Sequence, residues 1–514
     1  MTLSRRSLIG GLGALGACAT APAKLDSGAS PQKLGDLFTL GVASGDPNAD
    51  GFVIWTRLAP EPLEPDGGLS APVDVIWQVA EDPAFAHIVA QGRKTARAQL
   101  AHSIHVEVGG LAVHRPYYYR FIADGQKSPT GRARTTPYLG TMTDKLRFGF
   151  VSCQHFEQGF FTPYLGLVED DPEIIIHLGD YIYESTWGPQ VRRHPNPESY
   201  TLADYRQLHA AYKTDKALQA AHAHAPWLMI WDDHEVVNDY AGLNGEKGPF
   251  SPTFAARRKA AYQAYYEHMP VRLKRKPHGL SMHMYDYFYY GDLMTMALTD
   301  GRQYRTDQAC QTPEHRGAAL VRCAELDDPK RTMFGPEQER WLMSSLGRTG
   351  AIWEVLAQVT LFSKLFQKGR DGLPGRWNDG WDGYAGTRHK ILSAIAKRKP
   401  KNFVAIGGDM HSWWQADLKE DYNNPKSRTL GAEFVCTSVT SHSYAYNRFK
   451  RMLPDNPHIH FFDDRKRGYC LVNVDRNQWR VDMKEVNTVY QPRSASTIRK
   501  SFVVENGNPT AHEI

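Results

Sequence analysis

The sequence has little of three things, and each shortage narrows the reading. Its leading apolar stretch, residues 8–17, is far too short to cross a bilayer. A formal charge of +5 over 514 residues, spread along the chain, gives no polyanion-binding surface, and specific nucleic-acid recognition is not expected. A local basic run, Arg272 with Lys274, Arg275 and Lys276, reads as a solvated loop. Six cysteines are too few to staple a protein of this size, so each needs its own explanation. What is present is a hydrophobic content of 41%, with 12 Trp and 25 Tyr, which indicates a well-packed globular protein. The length holds one large α/β core and a smaller domain.

Residues 148–240 organise the chain. They contain three β-like apolar runs, FGFVSCQH, EIIIHLGDYIYE and APWLMIWDDHEVVND, each ending in polar or ionisable residues. Continuous apolar runs of this length read as strands buried on both faces, and open α/β sheets place their chemistry beyond the carboxyl ends of such strands. The runs deliver Cys153; then Asp180 and Tyr183; then Asp232, Asp233 and His234. Two later segments share the design: Asp300, Arg302 and Arg305 follow LMTMALT, and Asp409 and His411 follow NFVAI. A single Asp or His after a β-run is more often a turn cap. Five strand ends supplying thiolate, carboxylate, phenolate and imidazole point instead to a dinuclear metal hydrolase.

Around this stretch the chain divides as follows. Residues 1–23 are targeting sequence: SRRSLIG, with Arg5 and Arg6, resembles a twin-arginine export signal. LGAC resembles a lipobox that would place a lipid anchor on Cys18, while cleavage among the small residues after it is the other reading. Export to the periplasm or cell envelope follows from either. Residues 24–36 form a Ser-, Gly- and Pro-rich linker. In residues 37–140, short alternating strands separated by Asp, Pro and Gly turns predict a β-sandwich. Residues 143–490 predict the catalytic α/β domain, in α/β/α or α/β/β/α layers, with helices over 202–222, 254–268 (capped by Ser251 or Thr253) and 335–346. Residues 491–514 are read as a carboxyl-terminal extension. Cys310 and Cys323 flank a polar loop and predict a disulfide closing an active-site loop. Cys436 and Cys470 are either a second pair or two buried thiols.

The motifs VSCQ, HLGDYIYE, WDDHEVVNDY, TDGRQYR, NDGWDGY, GGDMHSWW and NPHIHFFDDRKRGY, in that order, closely resemble the PhoD-like alkaline phosphatase and phosphodiesterase family. The resemblance covers nearly the whole chain. It implies a layered α/β/β/α metallophosphatase core similar to that of purple acid phosphatases, preceded by the small sandwich. It also implies hydrolysis of phosphate monoesters and diesters by in-line attack of metal-held water. Fe(3+) and Ca(2+) are the implied cofactors, with a cysteine replacing one carboxylate ligand of the ferric site. Small phosphate esters are the implied substrates, with extracellular nucleotides or phospholipids among them. One branch of the family is phospholipase-like, so a diesterase acting on lipid head groups is the alternative. A monomer is expected.

Carried onto this chain, the resemblance makes Asp180 the bridging ligand and Tyr183, Cys153 and His411 the ferric ligands. Asp409 and Asp233 would hold the second ion, with Asp232 and Asn238 as further oxygen donors. His234 would meet the phosphoryl oxygens or protonate the leaving group, and Arg302 and Arg305 would clamp phosphate. Asp382 and Tyr384 would form an outer wall, with calcium ligation by Asp382 an option. Gln358 lies where relatives place another polar ligand, although Ala357 precedes it where the family commonly has Asn.

Overall fold

The three apolar runs form adjacent parallel strands, Lys145–Val151, Ile174–Leu178 and Trp227–Ile230. Successive side chains on a strand point to opposite faces. Phe148, Phe150, Ile174, Ile176, Leu178, Leu228 and Ile230 accordingly enter one apolar core, and Val151, Ile175, Trp227 and Met229 enter another. Both faces are buried, which is why the runs read as continuous rather than alternating. The computed structural model describes residues 35–245, 248–312, 316–424, 426–443 and 446–514. The leader, with Arg5, Arg6 and Cys18, and nearly all of the linker lie outside the described residues.

The first core is shared with a second sheet of seven strands. Its parallel centre is Met294–Leu298, Trp353–Ala357, Phe403–Gly407 and Thr429–Val435. Met294, Met296, Val355, Val404, Ile406 and Phe434 face Phe148 and Ile176 across the gap. Helices Pro163–Glu169, Leu202–Lys213, Lys216–His224 and Pro252–His268 cover the outer face of the ten-stranded sheet through the second core. Gly335–Ser345 and Ala385–Arg398 cover the seven-stranded sheet, with Leu342, Ile391 and Ile395 against Leu356 and Ala405. The result is an α/β/β/α stack. The helix expected over 202–222 is broken at Asp215, whose carboxylate caps the second half by accepting from Ala217 and Leu218 N–H. Ser251 caps the next helix.

The amino-terminal β region divides between two sheets. Val73–Ala80, Ile88–Ala96, Pro116–Ala123, Gln126–Lys127 and Gly131–Arg134 make a separate five-stranded sheet. Val42–Asn48, Gly51–Arg57 and Ser103–Val108 instead prolong the ten-stranded sheet, with Gly45 paired in parallel to Trp227. At Gly45 a Cβ would lie 2.2 Å from the Pro270 carbonyl, so only glycine admits this approach. One leaf of the expected sandwich is therefore continuous with the larger sheet. The segment read as a carboxyl-terminal extension supplies the strands Ser496–Glu505 and Ala511–Glu513 at the other edge, with Phe502 and Val504 in the shared core. No helix among the described residues is long and apolar enough to cross a membrane.

Candidate metal centre

Strand register brings the polar strand ends together. Val151 pairs with His177, and Leu178 with Ile230. Cys153, Asp180 and Asp232 therefore leave neighbouring strands at the same edge, where Asp300, Gln358 and Asp409 leave the facing sheet. Three of these residues, Cys153 (φ 59°), Asp180 (56°) and Asp409 (58°), hold left-handed backbone, as does His411 (48°) two residues past Asp409. Non-glycine residues in this region are strained and cluster at sites the surrounding structure over-determines. Here the loops are tied to one another, with Cys153 N–H donating to Gly179 O and Gln154 N–H to Asp180 O.

Two donor clusters share one aspartate. Cys153, Asp180 and His411 present ligand atoms within 4.8 Å of one another, and so do Asp180, Asp233 and His234. The Tyr183 hydroxyl stands between Asp180 Oδ2 and His411 Nε2, at 3.0 Å from each. His411 Nδ1 lies 2.6 Å from the His442 carbonyl. That nitrogen must carry the proton, which leaves Nε2 as a lone pair facing the cluster, as in metal-ligating histidines whose other ring nitrogen donates to a carbonyl. Burial lowers His411 to about 3, so the ring is neutral.

The donor set fits cations. Asp180 Oδ1 is buried with no hydrogen-bond partner. Burial, reinforced by neighbouring acids, pushes Asp180 and Asp409 well above the usual carboxylate range and raises the Cys153 thiol in the same way. Positive charge among these groups reverses that penalty and ionises them all. Thr360 Oγ1 donates to Asp409 Oδ2 at 2.6 Å, and Asp239 N–H to Asp233 Oδ2 at 2.7 Å, which fixes one oxygen of each carboxylate.

A cavity of about 300 Å³ opens onto the centre. Asp180, Asp233, His234, Asn238, Arg302 and Asp409 line it. His234 Nδ1 is 2.7 Å from Glu184 Oε2. Burial opposes a charge on this ring, but Glu184, Asp233 and Asp180 outweigh it and hold the imidazolium well above its ordinary value. The backbone N–H of Asn238 donates to the other oxygen of Glu184.

Several sequence expectations meet a different geometry. Arg302 is not a free fork: its guanidinium pairs with Asp232, with Asp379 at 3.0 Å and with Asp233 at 3.5 Å. Asp232, expected as an additional ligand, gives Oδ1 to Arg302, while its Oδ2 is buried without a hydrogen-bond partner. Arg305 sits behind Asp379, pairs with it and stacks over Tyr384, away from the cavity wall. Asp382 reaches the wall, but its carboxylate is held by Arg388 at 2.7 Å and by Leu365 N–H. Both amide atoms of Gln358 are used within the fold, by Thr360 and Trp381.

Three residues that organise the centre were not singled out from the sequence. Glu235 accepts from the backbone N–H groups of Asp180, Tyr181 and Asp232, clamping two loops together. Glu184 orients His234, and Asp379 neutralises both arginines. Their only signal was position within HLGDYIYE, WDDHEVVNDY and NDGWDGY. Cys310 and Cys323 are disulfide-bonded, and their loop brings Ala318 to the cavity. Cys436 and Cys470 are separate buried thiols.

A third cluster, His155, Glu157 and His194, also gathers ligand atoms within 4.8 Å. Its tautomers favour water over a cation. His155 Nδ1 accepts from Glu157 N–H, placing the ring proton on Nε2. The Tyr212 hydroxyl accepts from Phe156 and Tyr183 N–H and so donates to His194 Nε2, placing that ring's proton on Nδ1. Two N–H groups and one carboxylate oxygen, all buried without protein partners, match a bridging water.

An α/β/β/α stack with two donor clusters sharing one aspartate at the sheet edge defines a metal-dependent hydrolase. Residues 148–483 match the PhoD-like phosphatase family, and residues 20–137 match the PhoD-like phosphatase N-terminal domain. Alkaline phosphatase D of Bacillus subtilis (strain 168) is 41% identical over 521 residues, covering 98% of this chain and 88% of that protein. A solved structure described as "Structure of PhoD" superposes with a TM-score of 0.89 at 41% identity, covering 94% of this chain and 93% of that one. The chain belongs to the PhoD-like phosphatase family.

Proposed function

We infer that the chain hydrolyses phosphate monoesters and diesters with a mixed Fe(3+)/Ca(2+) centre, as an enzyme of the alkaline phosphatase D type. The observation that carries this is Asp180, whose carboxylate belongs to both donor clusters and keeps one buried oxygen without a partner. Cys153, Tyr183 and His411 would hold the ferric ion, the thiolate and phenolate matching its charge. Asp233 and Asp409, with Asn238, would hold calcium, which prefers oxygen donors. When bound, the ions would activate water at neutral pH and offset charge on the phosphoryl oxygens.

The chain's own groups do the rest. His234, oriented by Glu184 at 2.7 Å, contacts a phosphoryl oxygen or protonates the departing alkoxide. Arg302 supplies fixed positive charge at the cavity wall while positioning Asp232, Asp233 and Asp379. Arg305 acts at one remove, by holding Asp379. The apolar wall formed by Leu361, Leu365, Met410 and Phe449 leaves room for a substantial alcohol and keeps a phospholipase-type diesterase as the second reading. Twin-arginine export to the periplasm or cell envelope, a cleaved or lipidated Cys18, separate amino-terminal and catalytic domains and a monomeric state complete the proposal.

The test is direct. Metal-replete protein should hydrolyse p-nitrophenyl phosphate and bis-p-nitrophenyl phosphate at alkaline pH, and calcium chelation should abolish both activities. Asp180→Asn should lower both by at least about 100-fold, and full activity in that variant would overturn the shared-aspartate mechanism. Elemental analysis should find one iron with one or two calcium ions per chain. Two zinc ions without iron would reject the metal assignment.

A further inference from the structure

The same cavity carries a cation that the chemistry above does not use. Arg448, on the short helix Tyr446–Lys450, lines it together with Trp377, Leu365, Met410, Gln367 and Phe449. Its guanidinium carbon lies 5.9 Å from the Trp377 ring centre and 5.7 Å from that of Phe449, and Nη2 donates to Gln367 Oε1 at 3.3 Å. Among the described residues no carboxylate pairs with it. Arg302, the other arginine of this wall, is matched to three aspartates.

A surface arginine resting on an aromatic ring is ordinarily a solvated group that covers apolar area. Arg448 differs in standing within a concave site whose other charged side chains, His234 and Arg302 apart, are aspartates. Of those aspartates, Asp180, Asp233 and Asp409 belong to the proposed metal site, and Asp379 and Asp382 are paired with arginine. A substrate whose phosphoryl group sits at the metals and whose alcohol carries a second anion would bring that anion past this acidic part of the cavity, and a separate counter-charge offsets the repulsion. A planar guanidinium held between an amide and two rings is suited to a carboxylate or phosphate.

We propose that Trp377, Phe449, Leu365 and Arg448 form a subsite for the alcohol portion of the ester, selecting phosphate esters with an apolar or aromatic spacer that ends in a second anionic group. This rests on the proposed hydrolase reading for where the phosphoryl group binds, but its test does not depend on turnover. Phosphonates that cannot be hydrolysed, bearing a carboxylate on aryl or on short and long alkyl arms, are titrated calorimetrically into the metal-replete full chain beside their neutral carboxamide counterparts. For at least one arm the carboxylate should bind about tenfold tighter than the carboxamide, the scale of a partly exposed charge-assisted contact. Arg448→Ala should erase that ratio and leave the carboxamide affinity within about twofold, while Arg448→Lys retains part of it. Equal binding of carboxylate and carboxamide for every arm, or a ratio that survives Arg448→Ala, overturns the subsite. Loss of p-nitrophenyl phosphate turnover in the unaltered protein would instead overturn the hydrolase reading.

Discussion

The main-chain carbonyl of His442 takes the Nδ1 proton of His411 at 2.6 Å, so the loop carrying His442 decides which nitrogen of His411 faces the centre. The same loop places Ser441 Oγ 2.8 Å from both the Tyr183 hydroxyl and the Cys153 carbonyl. Arg467 staples this loop, donating to Ser438 Oγ and to the carbonyls of His411 and Ser441. Three of the proposed ferric ligands are thus oriented by one segment that contributes no ligand itself.

Ser441→Ala removes the hydrogen bond to Tyr183 while leaving the ring in place. If Tyr183 is a phenolate ligand, its visible charge-transfer band should move and activity should fall by roughly 10-fold, the low end for losing a partner behind a metal ligand. Loss of the band in Tyr183→Phe or Cys153→Ser would identify which ligand produces it. An unchanged spectrum in all three variants would remove Tyr183 and Cys153 from the ferric site.

Arg302→Ala should cost stability as well as activity. The guanidinium is buried among Asp232, Asp233 and Asp379, and burial with its partner removed leaves carboxylates uncompensated. A loss of about 3–5 kcal/mol in urea unfolding is expected, the usual scale for breaking a buried ion pair from one side. A loss below about 1 kcal/mol would show that the aspartates protonate or hydrate at little cost.

Lys213 makes a pH-dependent contribution. Its ammonium is buried beside the Trp55 ring and the Tyr181 hydroxyl, and burial lowers it from an ordinary 10.5 to about 7. The folded state therefore binds fewer protons than the unfolded state between these values. The stability of the neutral amine is fully present above 10.5 and is lost as pH falls towards 7. Lys213→Met should gain on the unaltered protein as pH drops from 10 to 7, by on the order of 2–4 kcal/mol. Parallel stability curves for the two proteins would place the ammonium in contact with water.

Export is tested apart from the fold. Replacing Arg5 and Arg6 together with Lys should leave unprocessed protein in the cytoplasm, because paired arginine is the distinguishing feature of the leader. Normal delivery of that variant would refute the twin-arginine reading. The mass of the mature amino terminus decides between a lipidated Cys18 and cleavage after it.

Much of this protein is legible in one dimension, for a physical reason. A strand buried on both faces is apolar at nearly every position, and polar residues gather just past its end, so Cys153, Asp180, Asp233 and Asp409 announce themselves within three residues of a strand end. Parallel pairing with matched ends then puts them at one edge. The disulfide between Cys310 and Cys323 is equally local, closing a loop only 13 residues long.

Tertiary structure decided what depends on distant partners. Arg302 and Asp379 stand 77 residues apart, and nothing local says that the arginine meets carboxylates rather than substrate. A carboxylate that binds metal, one that clamps loops and one that neutralises arginine look alike in sequence. Asp180, Glu235 and Asp379 were separated only by which groups the crossovers bring within hydrogen-bond reach. Sheet membership is likewise a matter of edges: residues 37–140 read as one sandwich, and only the close approach allowed at Gly45 joins Val42–Asn48 to Trp227–Ile230.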